Sequence, residues 1–204
     1  MKQPRRARLK SSIGAALAAS LYSAMAHAHL EATGLGPVYD GVLHFLGSPE
    51  DLLPVIALSL LAGQAGVAAG RRTLLFLPMA WLLGSLAGLA NPVIIEISPL
   101  WSAASLLVLG GLVLADVRLW PRLLTLIAVV LGAAHGLVNG SGLGWSVMAV
   151  IALAGVASAV FCTIALLTAL VTQLRAHWTR IAVRVAGSWI AAIGILMAGW
   201  SLAI

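Results

Sequence analysis

Apolar runs close to the roughly 20 residues that a helix needs to cross a bilayer fill most of this chain, divided by short clusters of arginine, proline and glycine. Six are read: approximately Pro49 to Ala69, Thr73 to Ala90, Pro99 to Ala115, Pro121 to Asn139, Trp145 to Leu174 and Val183 to Ala203. The fifth is long enough to tilt or protrude. The pattern predicts an all-α fold, a polytopic membrane helix bundle with about six transmembrane helices in one domain over residues 49–204.

The boundaries carry their own signals. Ser48-Pro49-Glu50-Asp51 has a capping pattern with proline at the first helical position, and Ser98-Pro99 repeats the start for the third span. Small residues recur at four-residue spacing in Gly84/Gly88, Gly132/Gly136 and Gly136/Gly140, which predicts close helix approach. Trp101, Trp120, Trp145, Trp178 and Trp200 fall near span ends, where an interfacial belt forms.

Composition sharpens the class: 61% of residues are hydrophobic and 9% charged, too few polar groups to cover a soluble globule of this length. The lipid bilayer is therefore the expected partner. The formal net charge of +6 does not indicate nucleic acid, because Lys2, Arg5, Arg6, Arg8 and Lys10 all precede residue 11. They open a signal peptide, with an apolar run from Ile13 to Ala24 and cleavage expected after Ala26 or Ala28. Its removal leaves seven arginines against six acids.

All seven of those arginines (Arg71, Arg72, Arg118, Arg122, Arg175, Arg180 and Arg184) lie in alternate connections. The positive-inside rule assigns these connections to the cytoplasm and both mature termini to the outside of an inner membrane. Asp116, beside Arg118, reads as a surface charge. Cys162, the sole cysteine, excludes an intramolecular disulfide and reads as a packing residue within the fifth span.

The candidate chemistry is concentrated in residues 29–48 and the start of the first span, an extracytoplasmic stretch containing His29, Asp40 and His44, followed by Glu50 and Asp51. Imidazole and carboxylate are the donors that bind divalent cations of borderline or hard character. Asp40 and His44 are four residues apart and meet on one face if Tyr39 to Leu46 is helical. A helix dipole accounts for one acid in the first turn of a span, whereas two adjacent carboxylates call for a cation or an arginine. His135 lies within the outer half of the fourth span, between small residues, where an ionisable group is costly and marks function. Asn139, one turn on, shares its face. Glu96 and His177 read as loop and interfacial residues. Gly140-Ser141-Gly142 superficially resembles the serine turn of rhomboid proteases, but the sixth span supplies no histidine, so an enzyme is not expected.

With these positions in place, the chain resembles the HupE/UreJ family of hydrogenase and urease accessory membrane proteins. That family has the signature His-Pro-x-x-Gly-x-Asp-His-Leu-Leu at its first membrane helix. Here His44 to Leu53 reads His-Phe-Leu-Gly-Ser-Pro-Glu-Asp-Leu-Leu, with Glu50 replacing the aspartate and Asp51 the second histidine. The family's fourth-span His-Gly pair is matched by His135-Gly136. The resemblance implies nickel or cobalt uptake, and Asp51 in place of histidine makes the site harder, so copper and zinc stay open as cargo. The expectation is a metal permease with His29, Asp40, His44, Glu50, Asp51 and His135 as metal donors. The alternative is a non-transporting, metal-binding accessory protein in a metalloenzyme maturation system.

Overall fold

A central, short, apolar helix organises the chain. The computed structural model describes residues 33–203 apart from positions 92 and 97, so the segment expected to be a signal peptide and His29 lie outside the described residues. Within them are seven helices and no strand: α1 (Pro37–Gly47), α2 (Pro49–Ala65), α3 (Val67–Leu89), α4 (Pro99–Leu114), α5 (Pro121–Gly140), α6 (Val147–Gln173) and α7 (His177–Ala203).

Every span expected from the apolar runs is a helix, but the count of crossings changes. Four helices (α3, α5, α6 and α7) are long and apolar enough to cross a membrane, and a fifth crossing arises if α1 and α2, bent by 76° at their junction, act as one broken span. At 16 residues, α4 falls short of a full span. Of the six expected spans, four are thus helices of crossing length, five with the bent pair counted as one: α2 stops at Ala65, before Gly66, and α4 covers 16 residues. The apolar exterior remains that of a multi-pass membrane protein: Leu75, Met79 and Leu83 on α3 and Leu166 and Leu170 on α6 all face outward. So does Cys162, which is exposed rather than packed inside.

Sequence-local causes set the breaks. Gly66, at φ 101°, is the single residue joining α2 to α3, a left-handed geometry that glycine adopts without Cβ strain. The turn into α2 starts with Pro49, as expected. The capping bond does not form, however: Ser48 occupies the N-cap position, but its hydroxyl makes no cap hydrogen bond. Ser48→Ala is therefore expected to move the thermal unfolding midpoint in detergent by less than about 2 °C. A fall of about 4 °C or more would reveal a capping bond after all.

Packing follows glycine. α3 and α5 run parallel, with Gly132 set against the Leu77 carbonyl, Gly136 against Trp81 and Gly140 against Ser85, while Gly84 and Gly88 meet the backbone of α5 in return. The expected small-residue spacing is thus used on both helices of one seam. α4 and α7 pair antiparallel through Gly110, Gly187 and Gly194, and α1 docks antiparallel on α6 through Gly41 and Gly155. Between these pairs stands α2, which packs against each of the other six described helices. Its residues Val55, Ala57, Leu58, Ser59, Leu61 and Ala62 are fully buried.

The two ends of the bundle differ in chemistry. At one end Gln64 Nε2 donates to the Val113 carbonyl (3.1 Å), Arg184 Nε to the Leu114 carbonyl (2.7 Å), and Arg180 pairs with Asp116 (2.6 Å). Asp116, read as a free surface charge, thus fastens the α4 terminus to α7. The opposite end carries the first turn of α2 and the last turns of α3 and α5. There the α3–α4 loop is held over α5 by Ser141, whose hydroxyl accepts from the Ile95 N–H (2.9 Å) and donates to the Val138 carbonyl (2.9 Å).

Candidate metal site

The first turn of α2 sends one acid outward and one inward. Glu50 is exposed, whereas Asp51 is 4% exposed and points into the bundle. Its partner comes from the last third of α5, where small neighbours give an imidazole room to turn inward. His135, 3% exposed, places Nδ1 2.7 Å from Asp51 Oδ1. One turn later Asn139 donates from Nδ2 to Asp51 Oδ2 (3.0 Å). Both oxygens of Asp51 are therefore engaged by α5, as a buried carboxylate requires.

The arrangement orients the imidazole. A carboxylate in its charged form only accepts hydrogen bonds, so opposite a neutral imidazole it selects the tautomer with the hydrogen on Nδ1 and the lone pair on Nε2. Carboxylate–histidine pairs of this kind present the other ring nitrogen to a metal, with the carboxylate raising its basicity. In such pairs the carboxylate orients the imidazole and can do so without itself touching the ion. Trp81 of α3 holds the ring plane from one side, its centroid 5.3 Å from that of His135 at 28°. Phe45 of α1 in turn meets Trp81 edge-on, at 6.0 Å and 87°. Four helices thus fix one histidine.

Unsatisfied polar atoms surround the pair. Asn139 Oδ1 and Trp81 Nε1 are buried and have no hydrogen-bond partner among the described residues. Pro54, buried in α2, has no N–H, so the Glu50 carbonyl lacks its usual helical donor. On its other side His135 lines an apolar cavity of about 380 Å³ between α4 and α5, walled by Trp101, Ser105, Val108, Leu131 and their neighbours.

Of the six residues expected to act as donors, the structure brings Asp51 and His135 together. Glu50 is one residue from Asp51 but faces out. His44 sits half-buried in the last turn of α1, next to Phe45. Asp40, expected to share a cation with His44, is engaged by Thr33 through both its N–H (2.7 Å) and its hydroxyl (2.5 Å). Among the described residues no three His, Cys, Asp or Glu side chains converge as a group able to hold a metal ion. Sequence reasoning placed Asn139 beside the imidazole and missed that it binds Asp51. It also missed Trp81, whose only signal was its place in mid-span, away from the belt positions of Trp101, Trp120, Trp145, Trp178 and Trp200, all of them exposed.

Against known proteins, the model of the family described as HupE / UreJ protein matches residues 16–197, almost the whole chain. No curated protein and no solved structure matches it. The match takes in the His44 to Leu53 segment, His135-Gly136 and every described helix through most of α7, and the chain therefore belongs to the HupE/UreJ family, whose role lies in nickel or cobalt handling for hydrogenase and urease.

Proposed function

We propose that this protein carries a divalent transition metal ion, nickel or cobalt before copper or zinc, across the inner membrane, entering at the end that bears Asp51 and leaving at the end that bears the arginines. The observation that carries the reading is the buried Asp51–His135 hydrogen bond, braced by Asn139, in the outer half of a membrane bundle. An ionisable pair is costly there and is kept where an ion must be held. His29, Asp40, His44 and Glu50 form the approach, gathering cations before they reach His135 Nε2 and Asn139 Oδ1. The signal peptide and the arginine distribution support an outside location for that approach.

A second reading, a non-transporting accessory protein that holds metal for enzyme assembly, draws on the fully buried apolar stretch of α2 below Asp51. Flux separates the two. Purified protein in vesicles enclosing a nickel- and cobalt-responsive dye should quench it on addition of either ion, and His135→Ala should reduce the initial rate at least about tenfold. Metal binding in detergent with no flux from the wild type would establish the accessory reading instead.

A further inference from the structure

The arginine end contains a second cavity, of about 320 Å³, at the foot of α2. Gln64, Asp116, Arg118, Thr172, Arg175 and Arg180 are among its lining residues. Three guanidiniums thus face one carboxylate, and the carboxylate is already paired with Arg180. Part of this charge has a plain structural use, since α2, α4 and α6 all end here and helix C-termini favour cations. Arg184 and Arg180 meet that need directly, by capping the Leu114 carbonyl and binding Asp116. Arg118 and Arg175 make no hydrogen bond among the described residues, and both are exposed toward the cavity mouth.

A buried acceptor completes the picture. The Gln64 side chain is fixed by its Nε2 bond to Val113, which leaves Oε1 buried in the cavity wall with no partner among the described residues. The cavity therefore offers two free cationic forks and, deeper, one oxygen that needs a hydroxyl or ammonium donor. We propose that it binds the phosphate of an anionic phospholipid, with Arg118 and Arg175 on the phosphate oxygens and Gln64 Oε1 accepting from a hydroxyl of the headgroup. Guanidinium pairs suit phosphate by their planar, two-pronged donors. A basic cavity between helices at the membrane surface is where such headgroups are found. Trp178 and Ile181, at the start of α7, are exposed apolar side chains on the helix that carries Arg180.

Native mass spectrometry of the full chain in detergent, titrated separately with phosphatidylglycerol, phosphatidylmethanol, phosphatidylcholine and inorganic phosphate, tests this. Wild type should take up phosphatidylglycerol at least about tenfold more tightly than phosphatidylcholine, with phosphatidylmethanol, which has no headgroup hydroxyl, in between. Arg118→Gln with Arg175→Gln should weaken phosphatidylglycerol binding about thirty-fold, whereas Arg71→Gln with Arg72→Gln, outside the cavity, should leave it unchanged. Equal binding of phosphatidylglycerol and phosphatidylcholine by wild type overturns the proposal, as does equal loss in both double variants. Binding of inorganic phosphate with no lipid preference overturns it in favour of a free-anion site. The wild-type comparison of the three lipids decides the matter even if a double variant cannot be purified.

Discussion

Asp51→Ala is expected to abolish metal accumulation and to destabilise the fold by about 3 kcal/mol or more. Its removal strands two buried donors at once, His135 Nδ1 and Asn139 Nδ2, and each orphaned group costs roughly 1–3 kcal/mol. Asp51→Asn separates stability from function. The amide keeps the shape but presents an NH₂ to one of two donors, so one hydrogen bond becomes a donor–donor clash and the imidazole loses its basicity-raising partner. Apparent nickel or cobalt affinity should fall about 10–100-fold, read by calorimetric titration of purified protein, while the protein still folds. Unchanged affinity in Asp51→Asn would mean that the pair is a structural brace only. Asn139→Ala, which leaves Asp51 Oδ2 unpaired but strands no second buried donor, should destabilise the fold less than Asp51→Ala.

Gly136→Ala is expected to be among the most damaging single methyl additions in the described residues, together with those at Gly41 and Gly140. A Cβ there would run into the Trp81 carbonyl and come 2.9 Å from the Ser85 nitrogen, both backbone atoms of α3 that no rotamer change can clear. Overpacking usually costs about 1–3 kcal/mol, and a rigid backbone obstacle puts this substitution at or above the upper end. Gly111→Ala is the control, because a Cβ at Gly111 meets nothing within 4 Å; it should stabilise α4 by about 0.5–1 kcal/mol through helix propensity alone. Thermal unfolding of the two variants in the same detergent checks the contrast, and similar midpoints would mean that the α3–α5 seam is looser than described. Gly136 also follows His135 directly, so a seam forced apart would withdraw the imidazole from Asp51.

The helices were legible because lipid demands long apolar runs, and proline or glycine marks their limits. Pro49, Pro99 and Pro121 each open a helix where the sequence led one to expect it. The bend between α1 and α2 was not legible, since Gly47-Ser48 signals an interruption but carries no angle. The buried acid was half legible: two adjacent carboxylates at Glu50 and Asp51 indicated that one needed a partner, and the helical turn decides which faces inward. The partner lies 84 residues away, a distance that no local pattern reports. Trp81 was hidden for a related reason, because in a membrane protein an inward-facing tryptophan and a lipid-facing one share the same apolar neighbours.

α2 is 17 residues long, a rise of about 25 Å against a hydrocarbon thickness near 30 Å. α2 by itself is therefore shorter than the hydrocarbon it would cross. If the protein carries metal as proposed, a membrane potential negative at the arginine end acts on a cation that leaves His135. For a doubly charged ion the whole drop amounts to about 4.6 kcal/mol per 100 mV, a pull toward the negative side that proposed uptake could use without nucleotide hydrolysis.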